Sequence, residues 1–324
     1  MLTLAAPAKV NLILSVSAPL SPGDPRAGFH EIASWFVPLT IADEVTIRPV
    51  EAGVSSTFSI GWAADAPRPT PIDWPIDNDL ALRAHRLLEQ TIGRPLPAHI
   101  DIRKRIPVGG GLGGGSSDAA AVLKGLSTLY SLALSDLTPL AMQLGSDVAY
   151  FCQGDPPPHA VVAGLGELVT EVPAVESEII LIIPPFGCST GSVYRAYDTL
   201  LAERAAAEPT RRAAIANSDL LEKRRRKVMH AIDRGEPVPS ELLFNDLTPA
   251  AFRVEPRLGR LVTALANTLR APIHMTGSGS TLFVMPRPGK VEPMAVRARA
   301  IADAIEPGSA VIQTGTLVGT PPRM

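Results

Sequence analysis

Six of the seven residues from Gly109 to Gly115 are glycine, and Pro107-Val108 leads into them while Ser116-Ser117-Asp118 and three alanines follow. Fixing such a stretch in one conformation costs more backbone entropy than fixing almost any other. An ordinary connector between two elements has little reason to carry that cost. Glycine backbones approach an anion closely and turn their N–H groups inward, and the start of a following helix adds unpaired donors and a favourable dipole. The stretch therefore reads as a cradle for phosphate, with a plain flexible turn between strand and helix as the alternative.

Two familiar phosphate loops do not match it. A Walker loop places Lys and then Ser or Thr directly after its last glycine, whereas Gly115 is followed by Ser116 and Ser117 with no lysine. A dinucleotide fingerprint needs an early strand-turn-helix unit and an acidic residue about 20 positions on, and Gly109–Gly114 meets only its loose glycine spacing. Ser116 and Ser117 add hydroxyls that suit phosphate oxygens or a Mg²⁺ ion bridging them.

The chain of 324 residues has room for two domains, and its net charge of -2 argues against non-specific attraction to nucleic acid or to an anionic membrane. Cys152 and Cys188 are too few for a disulfide framework and lack zinc-site spacing, which points to a reducing, cytoplasmic setting. The first apolar stretch carries Lys9 and Asn11, and nowhere do 18 uninterrupted apolar residues occur, so neither a signal peptide nor a membrane span is expected.

Periodicity organises the rest. Residues 2–16 predict a strand with Val10, Leu12, Leu14 and Val16 on one face and Lys9, Asn11, Ile13 and Ser15 on the other, which points Lys9 toward water. Further strands are expected at 31–38 and 43–49, then an irregular excursion over 53–75. Asp79 is placed to cap a helix over 80–91. A strand over 99–105 leads into the glycines, and Ser116 or Ser117 is expected to cap the next helix, with 119–130 as its body. Asp147 interrupts an otherwise apolar segment over 144–152. A strongly apolar strand at 179–183 restarts the pattern, followed by helices near 192–207, 220–234, 257–269 and 293–305, with a turn at 276–280 before a strand at 281–285. Lys223-Arg224-Arg225-Arg226-Lys227 reads as a solvated helix face.

Several of these stretches together resemble the galactokinase, homoserine kinase, mevalonate kinase and phosphomevalonate kinase superfamily: Pro7-Ala8-Lys9-Val10-Asn11-Leu12, the glycine run, Gly145-Ser146-Asp147-Val148, and Thr276-Gly277-Ser278-Gly279-Ser280. Within it the chain is similar to the branch that phosphorylates a cytidylyl-linked methylerythritol. The resemblance covers nearly the whole chain. It implies an α+β fold: a ribosomal-protein-S5-domain-2-like N-terminal domain with a left-handed βαβ unit over 1–170, which binds ATP, and a ferredoxin-like C-terminal domain over 171–324, which completes the substrate cleft.

The same resemblance implies roles. Lys9 and Asp147 are the expected catalytic pair, with Asp147 as base, although Ala149 stands where the family has proline. Asn78, Asp79, Pro107, Gly109, Gly110, Gly111, Gly113, Gly114, Gly115, Ser116 and Ser117 are expected to hold ATP, and Ser117 to ligate Mg²⁺. Asn11, Phe29, His30, Asp147, Thr190, Tyr194, Gly277 and Ser278 are expected around the acceptor. In that scheme a ring nitrogen of His30 reads the pyrimidine edge while Phe29 and Tyr194 stack on it. Ala27, Phe29 and Gly191 depart from the family's usual residues. No nucleic-acid or membrane partner is expected, and the chain is expected to be a monomer or weak homodimer.

Overall fold

The computed structural model describes residues 1–319 except 52, 135, 208–217, 235, 237 and 238. Two sheets and the helices that cover them make up the molecule. The first sheet is built on two long neighbours, β1 (Leu2–Pro19) and β2 (His30–Pro49), paired antiparallel along most of their length. β2 runs unbroken through the two strands expected separately at 31–38 and 43–49. The register of β1 slips between Pro7 and Lys9 and again between Asn11 and Ile13. The second slip turns Ile13 into the same core as Val10 and Leu12, against the simple alternation expected from the sequence.

The excursion expected over 53–75 contains β3 (Thr57–Trp62), an edge strand with no fully buried residue and so no clear apolar alternation to reveal it. It runs parallel to β4 (Ala98–Lys104), and α1 (Leu80–Ile92) makes the crossover between them. Asp79 caps α1 by accepting from Ala81 N at 2.9 Å. α2 (Gly114–Leu129) follows the glycine loop, and its N-cap is Gly113, so Ser116 and Ser117 lie within its first turns instead of capping it. Two short helices, α3 (Thr138–Met142) and α4 (Ser146–Phe151), lead to β5 (Ala160–Gly164) and β6 (Leu168–Glu171), which join the first sheet through β2.

β7 (Glu178–Ile183) opens the second sheet, with α5 (Thr190–Ala207) and α6 (Ser218–Asp233) after it. Next, β8 (Phe244–Asn245) returns to the first sheet and pairs parallel with β1 at Ile13 and Leu14. α7 (Thr248–Val254), α8 (Pro256–Leu269), β9 (His274–Met275), β10 (Leu282–Val284), α9 (Val291–Ile305) and β11 (Ala310–Gly315) complete the chain, and the second sheet runs β11-β7-β10-β9. β11 has no counterpart among the strands expected from the sequence.

Three cores follow from these faces. α1, α2 and α4 pack on one side of the first sheet through residues such as Leu88, Leu123 and Phe151. α5, α8 and α9 cover the outer side of the second sheet, where Ile180 and Ile182 point. Ile179, Leu181 and Ile183 point the other way, onto Val10, Trp35 and Val37 of the first sheet. Both faces of β7 are thus buried, which is why it reads as a continuous apolar run. In the basic run, Arg225 is buried and pairs with Glu222, while Arg224 lies over the Phe244 ring. This segment therefore belongs partly to packing.

Candidate active site

A cleft of about 810 Å³ opens between the glycine loop, the middle of β1, α4, the start of α5 and the turn after β9. Its walls include Lys9, Asn11, Asp147, Thr190, Tyr194, Gly277 and Ser278, with the glycines from 109 to 115 and Ser116 along one side. Residues far apart in sequence meet here because β1 lies between β2 and β8 in the first sheet and the 276–280 turn docks against it.

The loop's shape explains its glycines. Gly109, Gly111 and Gly113 all have φ of +76°, alternating with their neighbours in the manner that turns successive N–H groups toward one point. The free N–H groups at the start of α2 lie beside them. A Cβ on Gly113 would sit 2.9 Å from the Phe151 ring and 3.2 Å from Lys9 Cγ. Gly113→Ala combines that clash with a left-handed backbone, so it is expected to weaken ATP binding by about tenfold or more. Calorimetric titration with ATP checks this.

Lys9 is buried, only 3% exposed, and does not point into open water as expected. Its Nζ donates to Asn11 Oδ1 at 2.8 Å, lies 3.4 Å from Asp147 Oδ2 and stands 4.5 Å above the Phe36 ring. Its backbone N–H bonds Leu112 O at 2.9 Å, tying the loop to β1. Asp147 stands in the first turn of α4, where the helix start favours its charge, and its side chain is about one-third exposed to the cleft. Its charge adds to burial in pushing the Tyr194 hydroxyl up to about 12.

Asn11 is a hub within the protein. Its Oδ1 accepts from Lys9, from Gly277 N at 3.0 Å and from Thr276 Oγ1 at 3.2 Å, and its Nδ2 donates to Ser34 at 2.8 Å. Asn245 donates to Met275 O and Gly277 O and so fixes the same turn. Thr190 and Ser278 hydrogen-bond each other at 2.9 Å on the opposite wall.

The comparisons with known proteins bear on what these walls hold. The family of GHMP kinase N-terminal domains matches residues 79–155, the stretch from the α1 cap through Asp147. The chain is 36% identical over 284 residues to the 4-diphosphocytidyl-2-C-methyl-D-erythritol kinase of Mycolicibacterium gilvum, covering 86% of this chain and 80% of that protein. It is 33% identical over 290 residues to the enzyme of the same name from a Caulobacter species, covering 86% and 87%. The chain belongs to the 4-diphosphocytidyl-2-C-methyl-D-erythritol kinase family. A crystal structure of a 4-(cytidine 5'-diphospho)-2C-methyl-D-erythritol kinase superposes with a TM-score of 0.71 at 30% identity, over 98% of this chain and all of that one. A crystal structure of L. major mevalonate kinase shares the fold at a TM-score of 0.64 and 13% identity.

Against this kinase family's pattern, several expected residues sit elsewhere than expected. Ser117 is buried and does not line the cleft, so Ser116 replaces it as the available hydroxyl. Asn78 is exposed in a short turn off the cleft. Asp79 does line it, but its two oxygens already accept from Ala81 N and Trp74 Nε1. Phe29 is 62% exposed and outside the cleft wall. His30 also lies outside it: Nδ1 is 2.9 Å from Ser17 O and Nε2 is 3.4 Å from Asp198. Nδ1 is thus hydrogen-bonded within the protein, while Nε2 faces an Asp198 oxygen that takes no hydrogen bond, so the expectation that a ring nitrogen reads a pyrimidine edge rests on the resemblance alone. The imidazole braces Tyr194, with ring centroids 5.0 Å apart.

Sequence reasoning missed Lys104, Asp118, Thr276 and Ser34. Ser34 shows only as a small polar residue within an apolar strand, and its Oγ donates to Ile13 O. For Mg²⁺, the described residues contain no group of three or more His, Cys, Asp or Glu side chains able to hold a metal. Mg²⁺ commonly takes only one or two protein oxygens and fills the rest with phosphates and water. The Ser116 hydroxyl on the cleft wall is an oxygen of the type such an ion takes.

Proposed function

We propose that this protein transfers the γ-phosphoryl group of ATP to the 2-hydroxyl of 4-diphosphocytidyl-2-C-methyl-D-erythritol, within non-mevalonate isoprenoid precursor synthesis. The observation that carries the reading is the Lys9–Asp147 pair, set beside a glycine cradle in one cleft. Residues 1–170 supply the cradle, and residues 171–324 bring the wall of Thr190, Tyr194, Gly277 and Ser278.

In the proposed reaction the acceptor hydroxyl lies against Asp147, which takes its proton as the oxygen attacks the γ-phosphorus. The bond from that phosphorus to the bridging oxygen of ADP breaks in line, and ADP departs. Lys9 holds Asp147 in place and offsets negative charge as it develops. Ser116 would help hold the Mg²⁺ that accompanies ATP, and that ion would supply charge neutralisation on the phosphates. Tyr194 offers one aromatic face for the cytosine, and stacking of that kind contributes about 1 to 3 kcal/mol. Two free cysteines are in keeping with a cytoplasmic setting. Among the described residues no helix is long and apolar enough to cross a membrane.

The test is ATP consumption with product identification, offering the cytidylyl acceptor, mevalonate, homoserine and galactose in parallel. Turnover is expected with the cytidylyl acceptor far above the others. Equal or greater turnover with one of the other acceptors overturns the substrate assignment.

A further inference from the structure

The glycine loop has a neck, and three buried charged side chains close it. Its upstream limb leaves β4 at Lys104, and its downstream limb is α2, which carries Asp118. Lys104 Nζ donates to Asp118 Oδ2 at 2.5 Å and also to Asp43 Oδ2 on β2. The other oxygen of Asp43 accepts from the backbone N–H of Arg105 at 2.5 Å and of Ile106 at 2.8 Å, the two residues on which the loop starts. The three side chains are 4% exposed or less. A Cβ on Gly114 would lie 3.4 Å from Asp43 Oδ2 and 3.0 Å from Ile106 Cγ2, so the downstream limb rests directly on this cluster.

Stability alone gives little reason for such a group, because desolvating buried charges costs about as much as pairing them returns. What the cluster does achieve is geometric: it joins both limbs of the loop and the central sheet at one ammonium. We propose that Lys104, with Asp43 and Asp118, is a positioning device for ATP that holds the two limbs of the loop at the separation where its N–H groups converge on phosphate.

Lys104 acts through the backbone it secures, and its effect belongs to the nucleotide side of the cleft. Burial pushes Asp118 up against the pull of Lys104, and its Oδ1 has no hydrogen-bond partner.

The proposal rests on the reading of the loop as the ATP site, and one set of measurements separates the two. ATP binding is measured by calorimetry without acceptor, and KM for ATP and for the acceptor are measured separately, on the wild type, Lys104→Met, Lys104→Arg and Asp118→Leu. Lys104→Met is expected to raise both the Kd and the KM for ATP by about tenfold or more, with kcat and the acceptor KM within about threefold of wild type. Lys104→Arg is expected to recover most of that loss. Asp118→Leu leaves Asp43 and its bonds to the upstream limb in place, so it is expected to shift ATP binding in the same direction and carries the test if Lys104→Met does not fold. Folded variants with wild-type ATP affinity and only a lowered melting temperature overturn the proposal. A wild type that turns over but binds ATP no better than the variants also overturns it, whereas a wild type that binds no ATP overturns the reading of the loop and the clasp with it.

Discussion

Asp147→Asn is expected to lower kcat by about 100- to 10,000-fold while leaving the Kd for ATP within about threefold. The amide keeps the size of the carboxylate and its place in the first turn of α4, but it cannot take the proton from an attacking hydroxyl. Lys9 stays anchored by Asn11, and the loop is tied to β1 through backbone bonds that the substitution does not touch. Binding and chemistry should therefore separate cleanly. Rapid-quench kinetics with calorimetry on the same preparation check both halves. A variant that retains near-normal kcat removes Asp147 from the mechanism.

Lys9→Met is the second large effect, with an expected fall in kcat of about 100- to 1,000-fold, typical of losing one preorganised charged donor at a reacting centre. Methionine matches the length of the buried stem, which packs beside Gly113 and the Phe36 ring, so the fold is expected to survive. What disappears is the ammonium that joins Asn11 to Asp147. Because Lys9 and Asp147 act as one unit, the double variant should be no more than about threefold slower than the slower single variant. Fully multiplicative losses would mean that the two residues act independently.

The parts of this molecule that announce themselves in sequence are those whose chemistry is local. The glycine run, the Asp79 cap and the apolar strand at β7 each follow from a rule about the residues themselves. Asp147 and Lys9 stand out only as polar residues in apolar surroundings, and their meaning comes from resemblance and from the contact between them. The features that pattern reading missed depend on neighbours. β3 is an edge strand without buried alternation, and β2 continues through a stretch that reads as two strands. The serines after the glycines look like caps, but Gly113 holds that position because the loop enters α2 through a left-handed residue. His30 reads as a contact for bases in sequence, while its bond to Ser17 O and its packing on Tyr194 emerge only from the fold.

The Asn11 hub has a consequence for how activity arises as the chain is made. Its carboxamide is satisfied by Thr276 and Gly277, more than 260 positions away, and β1 gains a partner in β8 only after residue 245 exists. Loop closure over such distances comes late in folding. An emerging chain that has already formed α1 and α2 still lacks the Thr276 and Gly277 contacts that fix Asn11, the hydrogen-bond partner of Lys9. The loop is completed by the same late event, since Thr281 N bonds Gly110 O when the 276–281 turn docks. Activity in this protein is a report that both ends of the chain have met.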